Sequence, residues 1–210
     1  MAADPGFAAL PKDHAAYLKT SEDYQSAFEQ FTKVMQEAKE RLSAEDYNAL
    51  EGENETAIAE SVREDMASDA AEVDAYATAF GMRNAYVNQA LTWDWLRQNA
   101  VGVQGFYRLK SGAFDGYLTV QEGEDKGVYA VYIFAAQKEG GAENNGELRA
   151  EGKLDVSKIR LNYGNDDPSA TIDLTFDGET AQVATSEAFK KSGWFGANVL
   201  IDGDYLREKK

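Results

Sequence analysis

The chain contains no cysteine, a single histidine (His14) and few cations: 21 Lys plus Arg stand against 37 Asp plus Glu in 210 residues. The missing thiols exclude disulfides, thiol nucleophiles and Cys-based zinc sites. One imidazole leaves no Ser-His-Asp or Cys-His machinery that is not built on His14. The charge of 21 − 37 = −16 excludes a nucleic-acid binder that works by neutralising phosphates, since such proteins present a basic face. No apolar run approaches a membrane span, and Met1–Gly6 carries neither a basic stretch nor an apolar core. Two readings fit that start: a cytosolic protein, or a mature exported chain in which an initiating Met replaces the signal peptide. What is present is ordinary: 43% hydrophobic and 28% charged residues make a folding chain, long enough for one large or two small domains.

The pattern changes near residue 100. From Tyr17 to Leu42, apolar residues at Tyr24, Phe28, Phe31, Val34, Met35, Ala38 and Leu42 recur at three and four, which predicts a helix. Ser43, with Asp46 three positions on, reads as the N-cap of a second helix carrying a thinner stripe, Tyr47, Leu50, Ile58, Val62 and Met66, weakened by Gly52. A third helix is expected from Ser68-Asp69 through Val73, Phe80, Val87 and Leu91, running toward Trp93–Leu96. Short connections imply an antiparallel three-helix bundle or hairpin over residues 1–100. After Gly102 the period drops to two and turn residues recur about every ten positions. Eight strands are expected in 101–210, the last over Ala197–Leu206, forming an antiparallel β-barrel or sandwich. The fold class is therefore α+β. Asp115-Gly116, Asp177-Gly178 and Asp202-Gly203 are candidate tight turns, and the similarity of Gly105-Phe106-Tyr107 to Gly203-Asp204-Tyr205 points to pairing of the first and last strands. Phe106, Phe114, Tyr129, Phe134, Phe176 and Phe195 are expected to fill the sheet core.

Charge is concentrated. Residues 44–74 hold eleven acids and one base, Arg63, so ten of the sixteen net negative units lie on the second helix and its exit. Such a run is either a solvated face or a docking face for a basic partner; Glu60, Glu64 and Asp65 are the candidate contact residues. Calcium lacks its Asp-x-Asp-x-Asp-Gly loop, and Asn165-Asp166-Asp167-Pro168 reads as a turn. His14 reads as a surface residue at a helix approach, and no pair of carboxylates is placed across a cleft for glycoside chemistry. No catalytic residue, metal ligand or cofactor is expected. Lys110, Ser111 and Gly112 form a small-residue tip with one cation, either a plain turn or a loop that reaches into a partner. The barrel is also of a size to hold a small apolar ligand.

The helical half, with Tyr24–Leu42, the link Leu42-Ser43-Ala44-Glu45-Asp46 and the later Arg83-Asn84-Ala85-Tyr86, resembles the LprI-type lysozyme-inhibitor family of small exported bacterial helical proteins. The sheet half, opening on Gly105-Phe106-Tyr107 and closing on Trp194-Phe195-Gly196-Ala197 and Ile201-Asp202-Gly203-Asp204-Tyr205, is similar to small periplasmic β-domains and to barrel inhibitors of c-type lysozyme. Of that helical family's Gln-x-x-Trp-x-x-x-Arg pattern Arg63 alone matches, and the family's paired Cys are absent. Lys110-Ser111-Gly112 faintly resembles the Ser-Gly loop with which barrel inhibitors plug the lysozyme cleft. The resemblance implies a non-enzymatic periplasmic or secreted protein, its signal peptide removed, that binds a basic protein such as a lysozyme. The alternatives are a carrier of a small apolar ligand and an envelope adaptor module.

Overall fold

The structure, a computed structural model, describes residues 15–68, 72–110, 114–137, 145–163, 167–193, 195 and 199–210. Three helices come first, α1 (Ala15–Arg41), α2 (Ala44–Ala67) and α3 (Glu72–Gln98). Seven strands follow: β1 (Gly105–Leu109), β2 (Phe114–Glu122), β3 (Val128–Gln137), β4 (Asn145–Asp155), β5 (Lys158–Asn162), β6 (Thr171–Asp177) and β7 (Thr180–Thr185). A short helix α4 (Glu187–Ser192) then leads to β8 (Gly203–Glu208). The chain divides into two compact units, Met1–Thr92 and Trp93–Lys210. The last turns of α3 thus belong with the strands, and the division falls before the change of sequence period.

In the first unit the expected spacing is realised as buried clusters. Val34 and Ala38 of α1 meet Leu50 of α2 and Val87 and Leu91 of α3; Tyr24, Val73 and Phe80 form a second cluster, and Val62, Ala75 and Ala79 a third. Ser43 caps α2 as its sequence requires, its Oγ accepting from the Asp46 N–H at 3.1 Å and donating to the Asp46 carboxylate at 2.7 Å.

In the second unit the eight strands close into an antiparallel barrel in sequence order. Closure is made by β1 on β8, with Phe106 opposite Glu208, Tyr107 opposite Arg207 and Leu109 opposite Tyr205. Strand alternation sends Tyr107, Leu118, Ile133, Leu161, Leu174 and Tyr205 inward, all fully buried, so side chains occupy the interior, one of the two outcomes that an eight-stranded circumference allows. Of the six expected core aromatics, Phe176 and Phe195 are in this core, and Phe114 and Tyr129 pack half-buried against it. Phe106 and Phe134 have the opposite strand parity and stand on the outer wall. There Phe106 and Tyr117 stack at 5.6 Å, Tyr117 and Phe134 at 5.1 Å, and Trp93 from α3 lies 4.4 Å from Tyr117.

Turn chemistry is right at Asp177-Gly178, where Gly178 takes φ 58° between β6 and β7. Asp115-Gly116 instead lies inside β2, paired with Ala136 and Ala135. Asp202 makes no hairpin; its carboxylate accepts from the Thr185 N–H at 2.8 Å and hydroxyl at 2.7 Å, holding the approach to β8 against β7. The last strand starts later than expected because Ser186 accepts from the Phe189 N–H and opens α4. Asp167 anchors its turn through the Ser169 N–H at 2.9 Å, whereas Asn165 and Asp166, like His14 and Trp194, lie outside the described residues.

Gly152 on β4 is needed for space: a methyl group there would strike Ile159 and Leu161 of β5. Gly152→Ala is therefore expected to lower stability by about 1–3 kcal/mol through overpacking, read as a lower denaturant midpoint with unchanged slope. Glu208 accepts from Arg97 and Arg108, each at 3.0 Å. Burial alone would raise its carboxyl, but the hydrogen bonds and charge of Arg108 and Arg97 outweigh it and hold the group below the ordinary value of 4.5. A pKa lowered in the folded state stabilises above the unfolded value, and that gain is lost as pH falls through the folded one. The gap in melting temperature between the parent and Glu208→Gln should thus be open at pH 7 and close below about pH 4.

Candidate partner-binding site

The acidic residues singled out from the sequence lie on α2. Glu60 and Glu64, four residues apart, share one helix face and are exposed, and Asp65 beside them is half-buried. No described residue pairs with any of these three carboxylates. Lys110 is an exposed residue of the barrel unit, just past β1, its N–H donating to the Asp204 carbonyl at 2.9 Å. Ser111 lies outside the described residues. The acidic set and Lys110 belong to different units, and each is a surface of its own unit.

Glu60 is also part of a more organised feature. Gly52, Glu53, Thr56, Ala57 and Glu60 of α2, with Arg83 and Tyr86 of α3, line an open groove of about 530 Å³. Its α3 side is held by a polar chain that the sequence reading missed. Asn54, 2% exposed, occupies the buried stripe of α2 between Leu50 and Val62. Arg83 Nε donates to Asn54 Oδ1 at 2.6 Å, and Asn54 Nδ2 donates to Met35 Sδ at 3.3 Å. The Arg83 guanidinium lies 4.0 Å from the centre of the Tyr86 ring, and the Tyr86 hydroxyl donates to Glu53 Oε2 at 2.7 Å. Burial, with Glu53 as acceptor, pushes the Tyr86 phenol above its ordinary value, partly opposed by Arg83. Tyr86 is neutral and fixed. The signal was in the spacing: Asn54 follows Leu50 by four, on the register continued by Ile58 and Val62.

A second concavity lies in the barrel unit, about 200 Å³ lined by Phe189, Phe195, Val199 and Ile201 with Lys190 and Asp202 at its polar edge. It owes its existence to α4, which periodicity did not reveal because six residues are too few to show it. Among the described residues no group of three or more His, Asp and Glu is placed to hold a metal ion, and no helix is long and apolar enough to cross a membrane.

No family model, curated protein or solved structure matches the chain.

The Asn54–Arg83 pair is open to a direct measurement. Asn54→Leu should cost about 1–3 kcal/mol, because Arg83 Nε loses its buried acceptor. Adding Arg83→Leu should recover part of that loss in a double-mutant cycle of denaturant midpoints, since two apolar partners leave nothing unpaired.

Proposed function

We propose that the chain is a non-enzymatic, exported bacterial protein that acts by binding a basic protein, with a lysozyme as the named candidate. The observation that carries this reading is α2, where exposed Glu60 and Glu64 and half-buried Asp65 have no described cationic partner inside a stretch of net charge 1 − 11 = −10. Unpaired charge of one sign creates a field that accelerates encounter with the opposite sign and weakens with salt. In this reading the helical half is an antiparallel three-helix bundle that presents the acidic face. The Lys110–Ser111 segment is a second contact, suggested by its likeness to the cleft-plugging loop of barrel inhibitors.

A carrier function, with a small apolar ligand enclosed in the β-domain, finds less support, because buried side chains occupy the barrel interior. An envelope adaptor without inhibitory activity needs the same acidic face and a different partner.

Added to a hen-type lysozyme turnover assay at low salt, the protein should inhibit in proportion to its concentration. Reversing Glu60, Glu64 and Asp65 together to Lys should slow association by roughly tenfold or more at low salt, the difference shrinking as salt rises. Unchanged association kinetics would remove α2 from the interface. Absence of inhibition at micromolar protein would remove lysozyme.

A further inference from the structure

Gly52 sits well inside α2, where glycine costs about 0.5–1 kcal/mol relative to alanine. Nothing among the described residues requires it. Its φ lies outside the left-handed range, and a Cβ there would meet no atom within 4 Å, in contrast to Gly152, Gly146 and Gly116, where a methyl would collide with neighbouring strands or loops. Gly52 does, however, line the groove between α2 and α3. Its missing side chain keeps the α2 backbone bare where a visitor would enter.

The charge and texture of the groove select that visitor. Glu53 and Glu60 stand on it, and Glu60 has no described partner. Its one cation, Arg83, is already engaged by Asn54 and by the Tyr86 ring. An anion would face two carboxylates, and a purely apolar group would bury them at a cost. A lysine or arginine suits both features. Its aliphatic stem can lie along Ala57, Thr56 and the Tyr86 ring while its charged head reaches Glu60. Because Tyr86 is held by Glu53 and Arg83, and Arg83 by buried Asn54, the wall is ordered in advance and little entropy is lost on binding.

We infer that the α2–α3 groove is the contact that the acidic helix makes with the basic partner: it receives one Lys or Arg side chain projecting from that partner, with Gly52 permitting close backbone approach and Glu60 pairing with the cation. This rests on the basic-protein reading above and narrows it from a helix face to a single groove.

Gly52→Leu fills the groove, and Gly81→Leu serves as its control, because Gly81 is an equally open helix glycine on α3 outside the groove lining. Both should keep or raise the melting temperature. Binding of egg-white lysozyme and of a deca-lysine peptide, measured by calorimetry at low salt, should weaken about tenfold or more for Gly52→Leu and stay within about twofold of the parent for Gly81→Leu. A second pair carries no risk to folding. Glu60→Gln should weaken binding by up to about fivefold, and Glu64→Gln, off the groove, by distinctly less. Equal effects of Gly52→Leu and Gly81→Leu, or of the two Glu→Gln changes, would overturn the groove while leaving a partner-binding acidic face. Failure of the parent protein to bind either probe would overturn both.

Discussion

Everything in the second unit depends on the pairing of β1 with β8. Without it the sheet would expose two edges of unpaired N–H and C=O groups. With it, each strand has two neighbours and the interior radius is set by strand number. Tyr107 and Tyr205 follow from that radius: both are fully buried inside the barrel, and both hydroxyls donate to backbone carbonyls, of Val103 and Ile201. Closure also decides where the last residues go. Antiparallel pairing on β1 delivers Glu208 to Arg97 and Lys210 to the buried carboxylate of Asp94, 2.9 Å from its Nζ. The final turns of α3 are thereby tied to the barrel by ion pairs on one side and by Trp93 against Phe106 and Tyr117 on the other. A unit boundary inside a continuous helix is the result.

Much of this was legible in the residues. Periods of 3.6 and 2 gave the three helices and eight strands, the Ser43 cap gave the start of α2, and the likeness of the two Gly-x-Tyr segments pointed to the β1–β8 pair. What stayed hidden has physical causes. Phe106 and Tyr107 are adjacent aromatics on opposite faces, and period two cannot say which face is inside until the strand closes with its neighbours. Asp115-Gly116 reads as a turn because Asp-Gly tolerates positive φ, but Gly116 is kept for space: a Cβ would come within 2.9 Å of the Phe134 carbonyl oxygen. The reverse error is visible at the β4–β5 connection, where Val156 takes φ 55° with its side chain 94% exposed. A β-branched residue there gives no turn signal, although it makes the turn.

For the candidate site the division is similar. Composition located the acidic helix and named Glu60, but a count of charges cannot distinguish a face from a groove. The groove needs α3, and what aligns α3 there is Asn54, an amide in a position that periodicity reserves for an apolar side chain. Buried polar groups that are fully partnered specify one arrangement more sharply than hydrophobic contact does, since hydrogen bonds are directional and sliding either helix would break them.

The chemistry of α2 also explains why a partner would matter to it. Its buried face has few apolar residues, Leu50 and Val62 with half-buried Tyr47 and Ile58, while like charges stand four apart at Glu51 and Glu55 and again at Glu60 and Glu64. Each such pair opposes the helix by about 0.2–0.5 kcal/mol, and Gly52 adds its own cost. These terms are small, and they all act on one element. A cation bound against Glu60 reduces its repulsion with Glu64, so binding free energy and helix stability are linked, and each rises with the other. Under the proposed reading, the same residues that weaken α2 make it the helix whose stability reports occupancy of the groove.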